Sequence, residues 1–163
     1  MSALEHILEA NARFAEGYTM GELPPQPRQR VAILACMDAR IDPPRALGLE
    51  PGDAHIIRNA GGRVVEALRS LAISQQLLGT EEVIIIHHTR CGMQTFTDQD
   101  IRQRLRQNLN ANADHIAFLP FTDQEQAIQD DVHTYHESPI VRHDVPVYGL
   151  IYEVETGRLR RVV

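Results

Sequence analysis

The 163-residue sequence contains no lysine, no tryptophan and only two cysteines. All 16 residues of its lysine-plus-arginine total are arginine. Without lysine there is no Schiff-base chemistry and no P-loop lysine to grip a phosphate. Two cysteines cannot build a disulfide-rich scaffold, a four-cysteine zinc ribbon or a cluster site within one chain. No stretch approaches the roughly 18 consecutive apolar residues of a transmembrane helix. The first 18 residues carry Glu5, Glu9 and Glu16, so the basic start and unbroken apolar run of a secretory signal are both missing. A reducing, cytoplasmic setting is the expectation, in which cysteines serve as metal ligands, catalytic groups or core filler rather than in a disulfide. A net charge of −6 disfavours nucleic acid or an anionic membrane as partner, since both need a basic face. It leaves room for a small anionic ligand held by a local arginine.

What is present is globular. At 43% hydrophobic and 23% charged the composition excludes a disordered chain. The length predicts one domain over 1–163, with residues 1–30 as an N-terminal helical arm and linker. Leu4, Ile7, Leu8, Ala12, Ala15 and Tyr18 fall near a helical period, so 3–18 reads as an amphipathic arm suited to packing on a neighbouring subunit. Gly21 to Arg30 holds three prolines and reads as an extended linker.

The runs 31–36 and 83–86 are continuously apolar, as in strands covered on both faces of a parallel sheet. A short run at 54–58 gives another strand. Apolar groups from Val64 to Leu78 recur at a period near 3.6, predicting a helix over 63–78 closed by Gly79. Further helices are expected at 98–112 and 123–137, each opened by an aspartate cap. The segments 145–154 and 158–163 flank Thr156-Gly157, which reads as a turn between strands. The fold class is α/β: a mainly parallel sheet flanked by helices, with a C-terminal antiparallel hairpin.

Both cysteines fall at the carboxyl ends of predicted buried strands, where open α/β sheets bind ligands. Cys36 ends VAILAC, and His88 and Cys91 follow the VIII run. Two thiolates and an imidazole are what zinc selects, and three protein ligands leave a fourth position for water or substrate. His-x-x-Cys on a turn supplies two ligands locally, and Cys36 arrives through the fold. Core packing of two buried cysteines is the bland alternative. Asp38 and Arg40, directly after Cys36, favour the metal reading, because the arginine fork can hold a carboxylate beside a ligand.

Cys36-Met-Asp38-Ala-Arg40, Asn59-Ala-Gly61-Gly62 and His87-His88-Thr89-Arg90-Cys91-Gly92-Met93 together resemble the β-class carbonic anhydrases, in their compact archaeal and actinobacterial branch. The resemblance extends over nearly the whole chain. It implies zinc bound by Cys36, His88 and Cys91. Asp38 would accept a hydrogen bond from zinc-bound water or itself take the fourth position, and Arg40 would pull it off the metal. Gly61 and Gly62 would line the substrate pocket, their N–H groups orienting oxygen atoms with Arg40. The implied activity is reversible hydration of carbon dioxide to bicarbonate by zinc-bound hydroxide, in a homodimer or homotetramer. Two thiolates cancel the charge of zinc, so coordinated water is acidified less than at a three-histidine centre, and activity is expected to rise with pH.

The chain departs from its relatives in places. It lacks the tryptophan of the bicarbonate inhibition pocket, so that pocket is not expected. Phe96, Phe118 and Phe121 are candidate wall residues, with core packing the simpler role for each. Arg90 stands where an acidic or small residue is expected. His87 is expected to point away from the metal as a structural histidine. The alternatives are a carbonyl sulfide or carbon disulfide hydrolase on the same site, or a non-catalytic zinc-binding domain. A thiol redox module would want Cys-x-x-Cys, and a nucleotide loop would want G-x-G-x-x-G.

Overall fold

The computed structural model describes residues 1–163. The chain forms, in order, α1 (Ala3–Glu16), β1 (Val31–Cys36), α2 (Pro43–Leu47), β2 (Ala54–Asn59), α3 (Val64–Leu78), β3 (Glu82–His88), α4 (Asp98–Leu109), α5 (Gln124–Glu137), β4 (Val147–Tyr152) and β5 (Leu159–Arg161). Single 3₁₀ turns at Ala60–Gly62 and Gly92–Gln94 follow β2 and β3. No helix is long and apolar enough to cross a membrane.

The strands make one sheet in the order β2-β1-β3-β4-β5. All pairings are parallel except β4 with β5, the antiparallel pair that the Thr156-Gly157 turn predicts. β1 is buried at all six positions, as an unbroken apolar run in a central strand requires. One face of the sheet packs on α3 and α5. There Leu34, Val64, Leu71, Val83, Ile85, Ile128 and Tyr135 form the main core. Each large aliphatic side chain so buried stabilises by about 1.5–3 kcal/mol. The other face centres on Val31, Ile33 and Ile86, with Leu47 of α2 and Leu49 packed against them.

Several boundaries differ from the sequence expectations, each for a local reason. α1 stops at Gly17, and none of its residues is buried. α4 is capped by Thr97 in a capping box with Asp100, so Asp98 is its first residue rather than its cap. It ends at Leu109 because Asn110 turns left-handed and returns its N–H to the last turn. α5 keeps Asp123 as its cap, which accepts the Gln126 N–H at 2.9 Å. The short α2 was not foreseen. Asp42 caps it, Pro43 begins it and Gly48 ends it in the left-handed region.

α3 begins without a cap of its own. A carboxylate from α5 takes that place. Asp131, buried, accepts the Val64 N–H on Oδ1 at 2.9 Å. Its Oδ2 lies 2.9 Å from both Arg63 Nε and His87 Nε2. One side chain thus staples α5, the start of α3 and β3. Removing one partner of a buried, paired charge costs about 3–5 kcal/mol, since the other is left uncompensated. Asp131→Ala is therefore expected to lower the unfolding free energy by about that amount in urea titrations. A loss below roughly 1 kcal/mol would show that the staple does not hold these elements together.

Candidate metal centre

Two adjacent parallel strands deliver the site. β1 and β3 run in register, Ala35 opposite Ile86. Cys36 therefore leaves the sheet beside His87 and His88. The turn after β3 brings Cys91 back. The ligand atoms of Cys36, His88 and Cys91 all lie within 4.8 Å of one another, and all three residues are buried.

The histidine is set in one tautomer. His88 Nδ1 lies 2.8 Å from the Thr89 carbonyl, which can only accept, so Nδ1 carries the proton. Nε2 keeps its lone pair, and it is buried with no hydrogen-bond partner. An orphaned basic nitrogen beside two sulfurs is what a site for a soft or borderline metal ion presents. Gln124, at the start of α5, donates to the His88 carbonyl and ties that strand end down.

Cys36 Sγ accepts the Gly61 N–H at 3.3 Å. Its thiol is lowered to about 4, chiefly by a hydrogen bond from Cys91 and despite burial. The Cys91 thiol is pushed up, because it is the donor in that pair and is itself buried. The Gly61 N–H and the Cys91 thiol both favour negative charge on the Cys36 sulfur. Arg58 holds the backbone that follows this cysteine, donating to the carbonyls of Cys36 at 2.9 Å and Asp38 at 2.7 Å.

Asp38 and Arg40 meet as a fork. Arg40 Nε donates to Oδ1 at 2.9 Å and Nη2 to Oδ2 at 2.7 Å, while the Arg40 main-chain N–H also donates to Oδ1. These bonds hold the Asp38 carboxyl well below the ordinary carboxylate range. Both oxygens are turned to the guanidinium. Oδ2 is still only 3.6 Å from His88 Nε2, so the carboxylate borders the place a metal would fill. Arg40 Nη2 also donates to the Arg90 carbonyl at 2.9 Å.

The two glycines divide their roles. Gly61 borders a cavity of about 360 Å³ that opens onto Cys36, Asp38 and Cys91. Its N–H is already given to the cysteine sulfur. Gly62 lies beneath, at φ +68°, where a Cβ would come within 3.1 Å of Cys36 N and of Ile86 O. Asn59 clamps this turn from both sides, accepting the Arg63 N–H at 2.7 Å and donating to the Arg63 carbonyl at 2.8 Å.

Met37, Ala60, Met93 and Phe96 give the cavity an apolar wall, which Gly92 and Thr95 complete. Phe96 thus faces the cavity, where core packing was the simpler expectation. Phe121 stacks on His87 with centroids 5.5 Å apart. His87 points to Asp131, away from the ligand cluster. Arg90, whose side chain is largely exposed, pairs with Glu155, its Nε 2.6 Å from Oε1. Sequence reasoning missed Gln124 and the roles of Asn59 and Arg58 in bracing the site. Asn59 and Met93 lie inside the recognised motifs, without a role assigned to either.

The chain matches the family model for carbonic anhydrase over residues 31–159. It is 39% identical to β-carbonic anhydrase 1 of Mycobacterium tuberculosis, with 99% of each chain covered. It is 34% identical to the carbon disulfide hydrolase of Saccharolobus solfataricus, over 97% of this chain and 90% of that one. The solved carbonic anhydrase of Streptococcus mutans superposes with a TM-score of 0.95 at 44% identity, covering 100% of this chain and 99% of that one.

The packing under the site predicts a contrast between glycines. Gly62→Ala must meet two strand backbones from a left-handed conformation and should lower stability by at least about 2 kcal/mol. Gly92→Ala meets nothing within 4 Å and should stay within roughly 0.5 kcal/mol. Denaturant unfolding of both variants measures this, and equal effects would contradict the packing described. With its three donors, its Asp38–Arg40 fork and these relatives in view, the chain belongs to the β-carbonic anhydrase family.

Proposed function

We propose that this chain is a zinc-dependent carbonic anhydrase that converts carbon dioxide and water reversibly into bicarbonate and a proton. The observation that carries the reading is the convergence of Cys36, His88 and Cys91, with a buried, unpartnered His88 Nε2, beside the Asp38–Arg40 fork. Two sulfurs and one imidazole nitrogen fit zinc, and the pair of thiolates balances its charge in a buried place. Zinc held there supplies a Lewis acid that lowers the pKa of a coordinated water.

The chain's own residues do the rest. Asp38 offers an ionised carboxylate oxygen to orient the attacking water. Arg40 keeps that carboxylate ionised and turned aside from the metal position. Met37, Ala60, Met93 and Phe96 give carbon dioxide an apolar wall and limit the water around it. The Gly61 N–H stabilises the Cys36 thiolate, since it points at sulfur. Gly62 lets the turn approach β1 and β3 closely enough for Gly61 to line the substrate pocket.

The 163 residues act as one domain whose arm, residues 1–30, reaches a second copy. α1 leaves Leu4, Ile7, Leu8 and Phe14 exposed. The accessible surface of the chain is 10235 Å². A compact monomer of 18.4 kDa is expected to expose about 8,200 Å². The excess matches an arm that is buried on assembly, and supports a homodimer or a homotetramer. Two free cysteines suit a reducing, cytoplasmic setting.

A second reading is supported by the relatives named carbon disulfide hydrolase. Access to the cavity would select the larger sulfur-containing substrate on the same ligands.

The deciding experiment measures metal content and carbon dioxide hydration against pH on one sample. One zinc per chain and activity that rises from mild acid to alkaline pH are expected. Cys36→Ser and His88→Ala should each lose stoichiometric zinc and all but a trace of activity. A flat pH profile contradicts the role given to the two thiolates. Turnover of carbon disulfide or carbonyl sulfide above that of carbon dioxide favours the second reading, and zinc without any turnover favours a binding domain. For the arm, Leu8→Glu combined with Phe14→Glu should reduce the mass in light scattering to a single 18.4 kDa chain. An unchanged assembly would remove the arm from the interface.

A further inference from the structure

The residues between the two local ligands carry contacts that the mechanism above does not use. His88 is oriented by the carbonyl of Thr89, and Arg40 is braced by the carbonyl of Arg90. Neither carbonyl belongs to a helix or strand. Both sit on the turn from β3 to Cys91, and Arg90 holds it at φ +52°, a conformation that a residue with a Cβ adopts only under constraint.

The constraint comes from the β4–β5 hairpin. Thr89 Oγ1 donates to Glu155 Oε2 at 2.6 Å, and Arg90 Nε lies 2.6 Å from Glu155 Oε1. Thr89 Oγ1 also accepts the Val154 N–H at 3.0 Å, and the Thr89 N–H donates to the Tyr152 carbonyl at 2.9 Å. We propose that Glu155 is a positioning residue, whose two carboxylate oxygens hold Thr89 and Arg90 so that their carbonyls orient His88 and Arg40. The inference rests on the metal reading of Cys36, His88 and Cys91 given above.

An exposed arginine–glutamate pair by itself contributes little. Here one carboxylate grips two consecutive side chains, and each neighbouring carbonyl points at a different part of the site. The relay explains why an arginine is accommodated at position 90: its guanidinium faces the hairpin, and only its carbonyl faces the Asp38–Arg40 fork. It also fixes the tautomer of His88, on which metal binding through Nε2 depends.

The test uses the full-length chain and its Glu155→Ala, Glu155→Gln and Thr89→Val variants. Metal-free proteins are titrated with zinc against a chromophoric chelator and with cobalt, whose visible bands report coordination geometry. The parent should bind one ion per chain. Glu155→Ala should bind zinc at least tenfold more weakly, with shifted cobalt bands. Glu155→Gln, which keeps an acceptor for Thr89 but loses the charge facing Arg90, should fall between, and it serves the same comparison if the alanine variant does not fold. Thr89→Val should move the cobalt bands in the direction seen for Glu155→Ala. Parent-like zinc affinity and cobalt spectra in the folded Glu155 variants would overturn the proposal, even if their melting temperatures fall. A parent chain that binds neither ion would overturn the metal reading itself and this proposal with it.

Discussion

The register between β1 and β3 decides where chemistry can occur in this molecule. Ala35 lies opposite Ile86, which brings Cys36 to the level of two consecutive histidines with opposite directions. A slip of one residue would exchange the faces of those histidines. His88, with its proton committed to a carbonyl, would then meet Asp131, and His87 would meet the thiols. Ile84 and Ile86 face the side opposite Val83 and Ile85, so apolar character alone does not separate the two registers. The contact of His87 with Asp131 does, because His88, with its proton given to the Thr89 carbonyl, would turn a lone pair toward that carboxylate.

Two buried histidines side by side illustrate how neighbours assign roles. His87 faces a carboxylate that also caps α3 and pairs with Arg63. Its Nε2 is paired within the fold, while its Nδ1 is buried without a partner. His88 gives its one proton to a backbone carbonyl and keeps an unshared nitrogen. The same side chain type is structural in one position and a ligand in the next, and the difference lies in what each Nε2 meets.

Much of this is legible in the sequence. Unbroken apolar runs marked β1 and β3, the helical period marked α3, and Gly79 marked its end. The donors Cys36, His88 and Cys91 announced themselves through residue type and strand-end placement, and Asp38 with Arg40 through adjacency to Cys36. Asp131 and Gln124 did not, because each acts on a segment more than 30 residues away and has no local pattern. For Phe96 both a cavity wall and the core are open to the sequence, because nothing in its neighbourhood distinguishes the two. The short α2 is different: its Asp-Pro start and Gly end are ordinary helix signals, over too few residues to show a period.

The bracing of the metal centre also has an order in time. During synthesis Cys36 emerges first and Cys91 follows 55 residues later. Tyr152, Val154 and Glu155, which fix the turn between His88 and Cys91, come only after α5 has been made. A nascent chain that stops short of the hairpin holds all three donors but leaves the turn between His88 and Cys91 untethered. The centre therefore gains its full bracing only once residues 152–155 have joined the fold, after every donor is already in place.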